Sequence, residues 1–315
     1  LARAVEIAKD SGATEIRVSE GRYDITSDDS DDPNGRLEFQ SEVTIRGGYS
    51  ADFEDRDVNR YQSRIVVRGW LQTVVGCDSD YAEPSQPVGL DGLLFDIVLR
   101  DAVPETADWS HALIELGGAS AATVENCTIQ VTTGGEFSRG VTALAVGGRS
   151  DWDDPSLAER VIVRNNTILA VSENGEDMTG LSVERLEPNG GHEVWGNRIM
   201  VQGADATGVY LDGAQGVLVA NNVISVRGGR DTLSGGMAVG IECQRELMSG
   251  FVVHNTIVFD SSDSERGMWV HNAHGDSTCD MEVINNIIAG YDGDGSEAIG
   301  NENDTSHTPY YDYNV

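Results

Sequence analysis

Val, Ile and Leu recur along this chain in short alternating runs, and one run returns six times as V-x-x-N-x-I. The copies are Val124–Ile129, Val163–Ile168, Val194–Ile199, Val219–Ile224, Val252–Ile257 and Val283–Ile288. Their fourth positions are Cys127, Asn166, Asn197, Asn222, Asn255 and Asn286, at intervals of 39, 31, 25, 33 and 31 residues. A regular motif at irregular intervals describes a fixed structural rung joined by loops of variable length. A second run follows each of the first five: Gly140-Val-Thr-Ala-Leu, Gly180-Leu-Ser-Val-Glu, Gly208-Val-Tyr-Leu-Asp, Gly240-Ile-Glu-Cys-Gln and Gly267-Met-Trp-Val-His. Its period of two is that of a strand. Two or three short strands per turn, each stacked on the next turn about 4.8 Å away, make an all-β solenoid, a parallel β-helix. The recurring Asn then has a role: an inward amide that bonds to the same amide one coil away. Cys127 replaces the first, so the ladder is predicted to run through Asn166, Asn197, Asn222, Asn255 and Asn286. Ahead of the repeats, Leu1, Val5 and Ala8 stand at helical spacing, followed by the strand patterns Glu15–Val18 and Gly21–Ile25. A helix over residues 1–12 is thus expected to cap the open end of the solenoid.

Charge narrows the partners. The 315 residues carry 21 Lys+Arg against 53 Asp+Glu, a formal net charge of −32. Such a surface repels nucleic-acid phosphates and anionic lipids, and favours divalent cations and neutral or cationic ligands. The ordered apolar patches argue against intrinsic disorder. No window of 18 apolar residues is present, so no membrane span is expected. Cys77, Cys127, Cys243 and Cys279 form no CxxC pair, which disfavours zinc; they are compatible with two disulfides in any of three connectivities or with free buried thiols. The chain opens without Met inside a helical pattern, which reads as a piece of a longer protein.

Over residues 13–315 these repeats resemble the right-handed parallel β-helix (pectate-lyase-like) superfamily, as a single-stranded right-handed parallel β-helix behind an N-terminal capping helix. The segment Val43-Thr-Ile-Arg-Gly-Gly-Tyr-Ser50 with Ala51-Asp-Phe-Glu-Asp-Arg56 is similar to a motif of bacterial secreted or surface β-helix proteins. That resemblance implies a protein exported to the cell surface or beyond, and its catalytic members are chiefly polysaccharide lyases and glycoside hydrolases. The polygalacturonase-like signature is missing: no Asn-Thr-Asp, paired Asp-Asp, Gly-His-Gly and Arg-Ile-Lys stand in succession. The pairs Asp28-Asp29, Asp31-Asp32 and Asp153-Asp154 fall in Ser-, Pro- and Gly-containing loops, the setting of solvated charge. Lys9, in the cap, is the one lysine, which rules out a lysine base for a lyase.

The Gly-led runs supply the candidate chemistry. If the residue after each Gly points inward, the second and fourth point outward. Stacked turns then align Ser182, Tyr210, Glu242 and Trp269 in one column and Glu184, Asp212, Gln244 and His271 in the next, with neighbours about 5–8 Å apart. Tyr210, Trp269 and Gln244 are the candidate sugar-binding residues, the rings for stacking and the amide for hydroxyls. Glu242, Asp212 and His271 are the candidate catalytic residues, with Glu242 and Asp212 as an acid/base pair for glycoside cleavage. Ring burial and Asp212 are expected to raise the Glu242 pKa, and His271 to lower it. A polar solvated wall is the competing reading. On another face, Leu169, Met200 and Val258 follow the motif's Ile as outward apolar residues, covered either by loops such as Gly147–Glu159 or by a protein partner. For a metal, Asp292, Asp294 and Glu297 offer carboxylates in a Gly-flexed loop suited to Ca²⁺, though no acidic residue closes an EF-hand loop at Asn303. Ser27–Gly35 is a second acidic loop, without the glycine a Ca²⁺ loop requires. His271 and His274 lie in Asn/Gly-rich context that does not favour zinc. The expected function is a carbohydrate- or partner-binding module, with a polysaccharide-degrading enzyme and a structural spacer as alternatives.

Overall fold

The computed structural model describes residues 1–26, 35–39, 42–69, 73–77, 87–99, 111–134, 140–148, 157–173, 175–228, 236–244, 248–260, 264–271, 279–290, 297–301 and 310–312. Among these residues the strands form three parallel sheets of ten, nine and nine strands. Each strand pairs with the one three further along the chain, so every coil contributes one strand to each sheet. The architecture is a right-handed parallel β-helix, as the repeats predict.

The two motif residues that flank the Asn are its inner columns. Leu90, Val124, Val163, Val194, Val219, Val252 and Val283 stack in register in the first sheet. Phe95, Ile129, Ile168, Ile199, Ile224, Ile257 and Ile288 do so in the second. All are buried. Burial of this continuous apolar column, at about 25 cal/mol per Å², is the main force holding one coil on the next.

Between the two sheets the chain turns through one left-handed residue: Asn126, Asn165, Gly196, Asn221, His254 or Asn285. Asn and Gly enter that region at least cost, which explains the Asn-Asn dipeptides. The second Asn of each pair forms the predicted ladder. From Asn166 to Asn255, each Nδ2 donates to the Oδ1 of the next at 2.9–3.0 Å. Each Nδ2 from Asn166 to Asn286 also donates to the carbonyl of the Val one coil back, at 2.8–2.9 Å. Each Oδ1 accepts, in addition, a backbone N–H from the coil before, at 2.9–3.0 Å. All five side chains are buried, so the ladder satisfies a turn that water does not reach.

The helix Ala2–Ser11 buries Ala2, Val5 and Ala8 against the first coil; Val5 and Ala8 are predicted positions, whereas Leu1, at the N-cap, is only partly buried and Ala2 takes the inner place beside it. It ends at Gly12, whose left-handed conformation lets Ala13 N–H reach the Ala8 carbonyl at 2.9 Å. The segment Val43–Arg56 is a clasp. Arg56 donates from Nε to the Gly47 carbonyl at 3.0 Å and lies 2.8 Å from Asp91, with its guanidinium 5.7 Å from the Tyr49 ring centre. Cys77 and Cys127 are free thiols. Burial pushes Cys77, with Glu115 nearby, and Cys127 each up to about 12, so both stay protonated and inert.

Candidate functional site

In the third sheet the strands Met178–Glu184, Ala206–Asp212, Met237–Gln244 and Ser264–His271 pair in the register that the sequence predicts. Ser182, Tyr210, Glu242 and Trp269 stand opposite one another, as do Glu184, Asp212, Gln244 and His271. One part of the alignment is corrected. Gly140 is not the counterpart of Gly180: Thr142 pairs with Thr179 and Leu144 with Leu181, so Ala143 holds that place and Ala145 faces Ser182.

The glycine column explains a feature that simple alternation misses. Both Gly208 and the Val209 after it are buried, as are Gly240 and Ile241, because the strand bends inward there. A Cβ on Gly240 would lie 2.5 Å from both the Gly267 carbonyl and the Ile257 Cγ2. Two inward residues in succession shift the outward register, and a third column appears on the N-terminal side: Thr142, Thr179, Thr207, Val239 and Arg266. Sequence reasoning did not reach Thr207 and Arg266, yet both act on the wall. Thr207 Oγ1 donates to Glu242 Oε2 at 3.2 Å, and the Arg266 guanidinium lies 4.2 Å from the Trp269 ring centre.

The remaining contacts tie the columns crosswise. Tyr210 donates its hydroxyl to Gln244 Oε1, and Ser182 Oγ donates to Glu184 Oε1 at 2.7 Å. Tyr210, Glu242, Gln244 and Trp269 are half-buried, while Asp212 and Ser182 are buried. The His271 backbone lies opposite Gln244; its side chain lies outside the described residues.

Burial raises the Glu242 pKa above the ordinary carboxylate value, against the Thr207 hydrogen bond and the Arg266 charge, with Asp205 adding to the rise. The direction matches the expectation but the partners differ. The like charge is Asp205 rather than Asp212, and the opposing cation among the described residues is Arg266. A raised folded-state pKa means that the fold binds a proton at Glu242 more tightly than the unfolded chain does. Stability associated with Glu242 is therefore complete below the unfolded value, about 4.3, and falls as pH rises through the folded value. Glu242→Gln should accordingly melt higher than the wild type at pH 7, with the difference closing below pH of about 4. Thermal melts of both proteins across that range check this; a variant that melts lower at pH 7 would contradict it.

Two other outer faces carry apolar side chains. In the second sheet Leu169, Met200 and Val258 lie in one column, through Ser225. Met200 is 40 % exposed and Val258 37 %. Residues 149–156 of the loop expected to cover this column lie outside the described residues. In the first sheet Trp195 and Phe251 are 39 % and 47 % exposed, a pair that sequence reasoning missed. The available signal was Trp195 itself, outward in the position just after the motif's Val.

Of the proposed Ca²⁺ ligands, Asp292 and Asp294 lie outside the described residues, and Glu297 is exposed at the start of the strand Glu297–Asn301. Ser27–Asn34, Asp153-Asp154 and His274 are likewise outside them, and Cys279 has its backbone alone described. Among the described residues no group of three or more His, Cys, Asp and Glu gathers to hold a metal ion. No described helix is long and apolar enough to cross a membrane.

Comparison with protein-family models, with curated proteins and with solved structures gives no match for this chain.

Proposed function

We propose that this chain is a carbohydrate-binding β-helix that holds a neutral glycan along the wall of its third sheet. The observation that carries this reading is the in-register column Tyr210–Glu242–Trp269, braced by Gln244 and by Arg266. Strands about 4.8 Å apart place successive side chains at a spacing close to that of successive sugar rings. The Tyr210 and Trp269 rings supply apolar area, and Glu242, Gln244 and Arg266 supply hydrogen bonds to hydroxyls. Cross-strand contacts hold these side chains before a ligand arrives, which lowers the ordering cost of binding. The net charge of −32 favours a neutral over an anionic polymer. Work outside the cell, implied by the resemblance to pectate-lyase-like proteins, and a Ca²⁺ at Asp292, Asp294 and Glu297 belong to the same proposal.

One observation favours a second reading, cleavage of the glycan. A carboxyl with a burial-raised pKa is what a general acid requires, and Glu242 is such a group, with Asp212 diagonal to it on the adjacent strand. A panel of neutral and acidic polysaccharides separates the two. Incubation is followed by reducing ends and by absorbance at about 235 nm, where unsaturated lyase products absorb, for the wild type and Glu242→Gln. A binding module retains one of the neutral polymers, releases no products, and keeps its affinity in Glu242→Gln. Product release that Glu242→Gln abolishes while binding survives would make the protein an enzyme. Retention of none of the polymers would remove both.

A further inference from the structure

We propose that His192 is an acid-released latch that ties the turn at residues 185–191 to the first sheet. The turn joins the third-sheet strand Met178–Glu184 to the first-sheet strand His192–Trp195. His192 is 1 % exposed, and Val88, Ala122, Val161 and Val217 hold the matching inward place in neighbouring coils. Another Val would serve the packing, so the imidazole needs a different account. Its two nitrogens supply one. Val161 N–H donates to Nδ1 at 3.1 Å, so Nδ1 carries a lone pair. The proton is then on Nε2, which donates to the Glu187 carbonyl at 2.7 Å. Strand pairing at this point begins one residue later, at Ile162 opposite Glu193, and the ring fills the gap before it. The first half of the turn is tied to both neighbouring coils by backbone. Arg185 N–H donates to the Asp212 carbonyl at 2.8 Å, and Glu187 N–H to the Ala158 carbonyl at 3.0 Å. The second half closes through Gly190 N–H to the Glu187 carbonyl at 3.3 Å, and the imidazole fixes it to the sheet. Gly190 lies so close over the ring that a Cβ there would run into the imidazole edge and the Glu159 carbonyl.

The neutral ring fits both partners and the imidazolium does not. A second proton, on Nδ1, would face the Val161 N–H donor to donor. Either that buried N–H loses its acceptor or the ring and the turn move away. The charged groups around the ring are Glu159 and Arg160 on the preceding coil, Arg185 and Glu187 in the turn and Glu193 on its own strand. The following coil presents the buried Val217. Burial lowers the His192 pKa below its ordinary value, against the bond to the Glu187 carbonyl and the Glu187 charge, with Arg160 adding to the fall. The fold therefore binds this proton less tightly than the unfolded chain does. Stability associated with His192 is complete above the unfolded value, about 6.5, and is lost as pH falls from there through the folded value. The sense is opposite to that of Glu242, whose contribution is complete in acid, so the two effects are separable. The turn Gly213–Gly216, one coil on, holds no histidine and gives an internal control.

Long-range ¹H–¹⁵N spectra of the six imidazoles, with His192 assigned from its loss in His192→Val, read the tautomer. The expected form at pH of about 7 is protonated at Nε2 and bare at Nδ1. Hydrogen exchange from pH of about 7.5 to about 4.5, corrected for the intrinsic pH dependence, reads the latch. Protection at residues 159–162 and 185–192 should fall at least about tenfold in acid, while residues 213–217 keep theirs. In His192→Val the turn should exchange at its acid level throughout, with no step in pH. If that variant does not fold, the contrast between the two turns of the wild type decides. A proton on Nδ1 at neutral pH would overturn the proposal. So would protection at residues 185–192 that acid leaves unchanged, or a loss that Gly213–Gly216 shares equally.

Discussion

Asn222→Ala should lower stability by about 3 kcal/mol, far more than an exposed Asn to Ala change. The Asn222 Oδ1 accepts the Asn197 backbone N–H at 2.9 Å and Asn197 Nδ2 at 3.0 Å. Its Nδ2 donates to the Val194 carbonyl and to Asn255 Oδ1, each at 2.9 Å. Removing the amide orphans a buried N–H, takes one partner each from Asn197 Nδ2 and the Val194 carbonyl, and leaves a cavity in the middle of the solenoid. Each such loss costs about 1–3 kcal/mol. The neighbour Asn165 supplies the internal control, since it is exposed and contributes a left-handed backbone. Asn165→Ala should cost about 1 kcal/mol, the penalty of a Cβ-bearing residue in that region, and Asn165→Gly close to nothing. Urea denaturation of the three variants, compared by midpoint, reads the contrast directly. Equal losses at Asn165 and Asn222 would mean that the ladder adds nothing beyond turn geometry.

A larger effect is expected at Gly240. A Cβ there meets a backbone carbonyl, that of Gly267, and the Ile257 methyl, both at 2.5 Å. Neither neighbour is the far end of a flexible chain, so the strand must move off its bend. Gly240→Val should cost about 4 kcal/mol, at the upper end of overpacking penalties, and should displace Glu242 two residues later. Ala143 occupies the equivalent place three coils earlier, so the crowding there tolerates a methyl group. Ala143→Gly should therefore cost only about 0.5–1 kcal/mol. Midpoints in urea and recovery of soluble protein measure both. A Gly240→Val protein as stable as the wild type would contradict the inward bend.

Much of this was legible in the sequence because a solenoid repeats its constraints. One Asn at a fixed distance from Val and Ile in five coils is enough to read the ladder, and the ladder fixes the register of its neighbours. The same logic placed Tyr210, Glu242 and Trp269 in one column. It failed where the local period departs from two. The bend at each glycine puts two residues inward in succession, so Thr207 and Arg266 fell outside a strict alternation and Gly140 was aligned with the wrong position. Periodicity also gives direction without depth. It shows that Asp212 points outward, but the burial of Asp212 and the half-burial of Glu242 depend on the coils on either side. The left-handed turn residues were visible as Asn, Gly or His before each ladder Asn, yet their type identifies a backbone need only once the turn is known.

The same register carries the functional reading, because the glycine bend and the ladder hold Tyr210, Glu242 and Trp269 on adjacent strands. The most direct measurement is affinity electrophoresis through gels containing the neutral polysaccharides of the panel, with the wild type run beside Tyr210→Ala/Trp269→Ala. A binding wall on the third sheet should retard the wild type in at least one gel. The double variant should lose about 1–3 kcal/mol of affinity, as truncated aromatic anchors do, and run free. Equal retardation of both proteins would place the glycan elsewhere, and free migration of both in every gel would leave the wall a solvated face.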